Sequence, residues 1–285
     1  MWMRYTNKQK NTLMKTNKWI VLLLLVFCGC ANDKLNIENS NNKIKSEDYR
    51  LSISPGACFP EVSDKYVYPV VPGMEEWQQL ESIDDAYKLC QLPDNVLKSI
   101  STPGLIDALI HAPLFTSFYM LSSNSSALKW CGYYDLFNSA KELFLRKDAG
   151  DALVAYYNLT CFDCLESLTG KESDMPAEVY QSETYHRMMG LEILFTRQEI
   201  LDKIESVKKR EAVTALLTNY EYNPEYVNGI FPMAYLMFAD KYEPIMQYSR
   251  DHTEQFKPIL EGFLYSFDQV DLIVSFAKNF INNKK

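Results

Sequence analysis

The stretch TRQEILDKIESVKKREAVTALLTNY, residues 196–220, decides the fold class. Thr196 and Glu199 stand three apart in front of an apolar run. At that spacing a hydroxyl and a carboxylate satisfy each other's backbone N–H at a helix start. Behind them Ile200, Leu201, Ile204 and Val207 recur every three to four residues, and Val213, Leu216 and Leu217 resume the pattern after Glu211. That period is helical; a half-buried strand would alternate.

The same signals extend outward in both directions. Upstream, residues 177–195 place Val179, Tyr180, Met188, Leu191, Leu194 and Phe195 on one flank. Downstream, Asn223-Pro224 and Asn228-Gly229 mark turns, and apolar runs over 231–242 and 242–249 divide near Pro244. Ser266 and Gln269 open a last helix carrying Val270, Ile273, Val274, Phe276, Ala277 and Phe280. In the N-terminal half, Trp77, Leu80 and Ile83 keep helical spacing, and Ser82 with Asp85 forms another box. Pro93 suits a first turn, and Thr102-Pro103 opens LIDALI, which Pro113 closes. Runs over 127–134 and 135–146 follow, the second with Leu136, Phe137, Ala140, Leu143 and Phe144 inward. Asp148 to Asp151 then cap a helix carrying Leu153, Val154 and Tyr157. Hairpin signals are absent. Residues 73–285 therefore read as an all-α domain of about ten short to medium helices in an orthogonal array. A short α-solenoid stays second because no repeat period shows. Residues 49–72 change character: Tyr49, Leu51 and Ile53 alternate and YPVVP is extended by its prolines, so this segment is expected to lie along the helical body.

Residues 14–30, MKTNKWIVLLLLVFCGC, set a location. Lys15 and Lys18 precede an unbroken apolar run of nine residues, 19–27. A membrane span needs about 20. A basic flank and a short apolar core read as a secretory signal over 1–29, and a start at Met14 alone gives one of normal length. The ending Phe27-Cys28-Gly29-Cys30 resembles a bacterial lipobox, with Phe27 where such boxes usually carry Leu. The resemblance implies cleavage between Gly29 and Cys30 and a diacylglycerol thioether on Cys30, a covalent lipid and no other cofactor. Residues 31–48 are rich in Asn, Ser, Lys and Glu without an apolar face, and read as a disordered tether.

The chain carries −8, and the segment before Cys30 holds five basic residues (Arg4, Lys8, Lys10, Lys15, Lys18) and no acid, so the mature chain carries −13. That sign excludes a nucleic-acid footprint, which needs clustered Lys and Arg. It also leaves membrane attachment to the acyl chains. Five cysteines follow the anchor, an odd number that leaves at least one thiol outside any bridge.

YPVVPG (68–73), EWQQL (76–80), CQLP (90–93), Pro113-Leu-Phe115 and RKDAG (146–150) together form a recurring pattern. It resembles that of uncharacterised lipoproteins of Gram-negative gut anaerobes and covers residues 66–160. The resemblance implies a lipoprotein with a helical fold and supplies no activity. It implies the bacterial envelope, as an outer membrane lipoprotein. The sequence AND-K (31–34) after the anchor has one acid, which leaves periplasmic-facing and surface-facing placements both open.

Cys161-Phe-Asp-Cys164 is the sharpest local constellation, read as a disulfide or thiol pair. A redox CxxC needs a helix N-terminus in a βαβ setting, which is missing here. A zinc site needs a second ligand pair, and His111, His186 and His252 are scattered in sequence, so no metal is assigned. The histidines read as surface or capping groups, and no GxSxG, HExxH or phosphate-binding Gly loop occurs, so no catalytic residue is assigned. Tyr133-Tyr134 and Tyr156-Tyr157 could stack on sugars, but Tyr at helical spacing usually rims a core. The expected function is a tethered protein-interaction module with another envelope protein as partner. The alternative is a glycan binder or enzyme whose site forms only in three dimensions.

Overall fold

A helix that is apolar on every side can only be buried, and TPGLIDALI supplies one. Thr102–Ile110 is buried from first residue to last. The computed structural model describes residues 49–115, 132, 134–162, 164, 177–222, 229–260 and 266–282. Several expectations lie outside them: the signal and lipobox (Gly29, Cys30), the tether, most of the 127–134 run with Cys131 and Tyr133, and the turn residues 223–228. The side chains of Val179 and Tyr180 are also outside.

The regular elements among the described residues are helices, in the order α1 (Glu75–Gln78), α2 (Ile83–Leu89), α3 (Asp94–Ser99), α4 (Thr102–Ile110), α5 (Asn138–Leu145) and α6 (Ala149–Tyr157). There follow α7 (Ala177–Ile193), a 3₁₀ turn (Leu194–Thr196), α8 (Gln198–Leu201), α9 (Ser206–Tyr222), α10 (Ile230–Ala239), α11 (Glu243–Asp251), α12 (Thr253–Leu260) and α13 (Phe267–Asn282). The fold is all-α. None of these helices is long and apolar enough to cross a membrane. Segment 49–72 forms no strand, only one antiparallel bridge between Ser52 and Glu61.

Two hubs organise the packing. In the N-terminal half α5, α6 and α7 pack on α4; in the C-terminal half α9, α11, α12 and α13 pack on α10. Helix α9 also touches α6, joining the two hubs. In the turn before α9, Lys203 and Ile204 press on α6 at Gly150, where an added Cβ would stand 2.6 Å from the Ile204 side chain and 2.7 Å from the Lys203 carbonyl oxygen. Only hydrogen fits there.

Caps made within one turn match the sequence reading. Ser82 accepts from the Asp85 N–H, and the Gln269 N–H approaches the Ser266 hydroxyl at 3.4 Å. Pro244 sits in the first turn of α11. Elsewhere the reading needs correction. The Thr196 hydroxyl donates back to the Ile193 carbonyl at 2.8 Å and closes the 3₁₀ turn, so it does not cap α8. Phe195 is fully buried, and turning it inward carries Thr196 out of the cap position. Asp148 accepts from the Thr102 hydroxyl at 2.8 Å and makes no cap bond to α6. Leu136 and Val207, expected inward, are exposed.

One disulfide staples segment 49–72 to the body: Cys58 to Cys164, with Cα atoms 5.3 Å apart and a sequence separation of 106. Cys164 is thus bonded to Cys58 and not to Cys161, correcting the local pairing that the CxxC spacing suggested. The Tyr68 hydroxyl adds a second tie, donating to the Ala108 carbonyl of α4 at 3.0 Å.

Closing so long a loop restricts the unfolded chain by about 4–5 kcal/mol in the chain-entropy limit, and measured effects are typically about 2–4 kcal/mol. Cys58→Ser is expected to lower the free energy of urea unfolding within that range. A loss of only a few tenths would show that the other contacts of segment 49–72 hold it unaided.

Candidate functional site

The chemistry-bearing side chains gather at two buried places on α4, α6 and α7. Helix α4 carries Asp107, one acid in an apolar run, and it is 1% exposed. An ionised carboxylate there needs partners. The Tyr156 hydroxyl on α6 donates to Oδ1 at 2.9 Å. His111, one turn on, places Nδ1 3.3 Å from the same oxygen and 2.9 Å from the Asp107 carbonyl. Burial pushes the Asp107 carboxyl up, but His111, Lys65 and Tyr156 outweigh it and hold it below the ordinary range. Oδ2 is buried and accepts no hydrogen bond among the described residues.

His111 caps α4, as its sequence position suggests, and Arg187 from α7 donates to the Ile110 carbonyl beside it. Side-chain donors at a helix C-terminus meet carbonyls that the helix itself cannot satisfy. The Phe59 ring meets the imidazole edge-on at 5.2 Å. The imidazole is one-quarter exposed, so a buried carboxylate orients a ring that reaches solvent.

The second place is neutral. Glu192 on α7 is 4% exposed, and its Oε1 accepts from the Tyr157 hydroxyl at 2.6 Å. Asn219 on α9 donates to that hydroxyl at 2.8 Å. Burial pushes the Glu192 carboxyl up to about 8, against the opposing hydrogen bond from Tyr157. On the same helix, burial pushes His186 down to about 4. His186 is buried and not a surface group, which corrects its sequence assignment. His252 stacks on Tyr248 at 4.5 Å, away from both places.

Tyr134, Tyr156 and Tyr157 are buried, so none of these three rings is a platform for a sugar. Cys161 and Cys164 sit beside segment 49–72, and the Cys161 N–H donates to the Cys58 carbonyl at 3.0 Å. Among the described residues no group of three His, Cys, Asp or Glu could hold a metal ion. Sequence reasoning missed Asp107, Tyr156, Glu192 and Asn219 as partners. The one signal was an acid inside LIDALI.

The motif residues that carried the resemblance act as joints. Gln91 and Asn138 interlock: the Leu92 N–H donates to Asn138 Oδ1 at 2.9 Å, Asn138 Nδ2 donates to the Leu92 carbonyl at 2.8 Å, and the Asn138 N–H donates to Gln91 Oε1 at 2.9 Å. Arg146 bridges Glu142 at 2.7 Å and the Leu97 carbonyl at 3.0 Å.

Glu192 and His186 make opposite contributions to stability against pH. Glu192 is held protonated by the fold, so its contribution is complete below the ordinary value of 4.5 and is lost as pH rises toward 8. His186 is held neutral, so its contribution is complete above 6.5 and is lost as pH falls toward 4. Glu192→Gln keeps the acceptor and cannot ionise. It should remove the decline on the alkaline side and raise stability at pH 8 by about 2 kcal/mol or more, read by urea titration across pH. An unchanged alkaline slope would mean that another group titrates there.

No family model, curated protein or solved structure matches the chain, so its function is read from the residues themselves.

Proposed function

We propose that this chain is a lipid-anchored protein of a bacterial envelope, a helical protein-interaction module carried on a polar tether. The observation that carries the reading is the lipobox-like ending at Gly29-Cys30, followed by a polar stretch of eighteen residues, 31–48. The Cys58–Cys164 disulfide supports it, because structural disulfides persist in oxidising compartments outside the cytosol. The strongly acidic mature chain supports a protein partner over nucleic acid or a bare anionic membrane surface. A coil of eighteen residues has a root-mean-square reach of about 20–25 Å, which raises the effective concentration of a partner held at the same membrane.

A second reading, an enzyme, has one observation in its favour: buried Asp107 orients a partly exposed His111 as a carboxylate orients a general base. The described residues supply no nucleophile placed against that ring. The glycan-binding form of this reading loses support from the burial of Tyr134, Tyr156 and Tyr157.

Cys30→Ala is expected to abolish labelling by an alkyne-palmitate probe and leave the precursor uncleaved. Labelling that persists would move the lipid to Cys28 or elsewhere. Shortening 31–48 to a few residues should weaken crosslinking to the partner in cells while leaving the protein's folding unchanged. Turnover of a small substrate that is lost in His111→Ala and indifferent to tether length would replace the interaction reading with the enzymatic one.

A further inference from the structure

Leu136 holds an inward position in its apolar run, yet it is 45% exposed. Gln91 fixes its place. The Gln91 Nε2 donates to the Tyr87 carbonyl at 2.8 Å and to the Leu136 carbonyl at 3.0 Å, which sets Leu136 at the C-terminal end of α2. The Asn138 N–H donates to Gln91 Oε1, and the Asn138 amide pairs with the Leu92 backbone, so both chain segments are braced against each other. Residues 83, 87 and 91 are four apart and form one row along α2 and the turn after it. Ile83 is 51% exposed, Tyr87 is half-buried, and Ala86 is the one buried residue of α2. Ile83, Tyr87 and Leu136 thus make an aromatic side chain between two open aliphatic ones on a braced backbone. A half-buried tyrosine is a common binding anchor, and a braced backbone loses little freedom when a partner docks.

Charge at the rim of this row has one sign. Residues 66–87 hold Glu75, Glu76, Glu81, Asp84 and Asp85 and neither Lys nor Arg. Lys88 answers Asp85 at 2.7 Å. Glu81 and Asp84 are exposed and make no ion pair among the described residues, and the Asp84 charge acts on the Tyr87 phenol. Elsewhere acids stand beside bases, Glu142 with Arg146 and Glu221 with Lys278. The apolar row is therefore bordered by carboxylates that this chain leaves for another molecule to answer.

We propose that the face formed by Ile83, Tyr87 and Leu136 is a docking surface, and that its occupant is a basic amphipathic helix of a partner protein. The proposal rests on the interaction reading above and names its surface and the chemistry of its partner. A row of residues four apart is a ridge, and ridges of this kind pack into the grooves of another helix. An extended peptide would need a strand edge to pair with, and the described residues offer none. Apolar side chains of the partner helix cover the row, while its Lys and Arg meet Glu81 and Asp84. A second copy of this chain would bring carboxylates to carboxylates, and an anionic bilayer would bring phosphates to them, so like charge opposes both.

The test uses the full chain in phosphatidylcholine nanodiscs, with empty nanodiscs as the blank. The probe is a fluorescent helical peptide of about eighteen residues, Leu along one face and Lys along the other; its counterpart carries Glu for every Lys. The Lys peptide is expected to bind about tenfold or more tightly than the Glu peptide. Ile83→Ser and Leu136→Ser should each weaken that binding about tenfold. Glu81→Gln combined with Asp84→Asn should flatten its fall between about 0.05 and about 0.5 M salt. Leu145→Ser and Phe267→Ser, at exposed positions elsewhere, should leave it unchanged. In cells, a benzophenone side chain placed at Ile83 is expected to capture a protein whose linked peptide carries Lys or Arg on both sides. No binding by the Lys peptide, or equal binding by wild type and Ile83→Ser, would overturn the proposal. Capture at Ile83 of only lipid or a second copy of this chain would do the same. Capture of a protein at Val207 or Phe267 but not at Ile83 overturns this face and leaves the interaction reading standing; capture at none of the three removes both.

Discussion

A helix buried along its whole length has no polar face, so every charge and every open backbone group on α4 must be met by another element. Its N-terminus shows how. The Ser101 hydroxyl accepts from the Gly104 N–H at 3.0 Å, and Asp64 of the preceding segment accepts from both the Ser101 N–H and its hydroxyl. An added Cβ on Gly104 would stand 2.7 Å from that Asp64 oxygen, so the cap also fixes the residue beside it. At the other end Arg187 and His111 meet the last turn, while Tyr68 reaches the Ala108 carbonyl between them. Segment 49–72, α6 and α7 are all held in place by what α4 cannot supply for itself.

The same constraint decides which buried acids are charged. Asp107 has His111, Tyr156 and the more distant charge of Lys65, enough to keep a carboxylate ionised against burial. Glu192 has only the Tyr157 hydroxyl opposing its burial, so it keeps its proton near neutrality. Two acids within one core thus take opposite states, set by partner charge and not by depth. Removing a partner from Asp107 would strand a charge, whereas removing the acid at Glu192 removes only a neutral donor and acceptor.

The sequence makes local interactions legible and distant ones not. Helix starts at Ser82 and Ser266 are readable because cap and capped N–H lie within one turn. Thr196 fails as a cap because a buried Phe195, decided by tertiary packing, outweighs a local preference. The start at Thr102 is off by one residue because Asp64, remote in sequence, positions Ser101 as the cap. The pair Asp107 and Tyr156 is separated by 49 residues, and no periodicity links them. The Cys58 bridge is hidden for the same reason: CxxC advertises its own spacing, and a bond across 106 residues advertises nothing.

Chain growth gives that bridge an order in time. Synthesis runs from the N-terminus, so of the five cysteines that follow Cys30, Cys58 is made first and Cys164 last. Oxidation in order of appearance would join Cys58 to Cys90, Cys131 or Cys161 first. The bridge that staples the fold is therefore the one that sequential oxidation reaches last. Burial of Cys90 in the core removes the earliest competitor once the helices assemble, so packing must precede the final covalent choice.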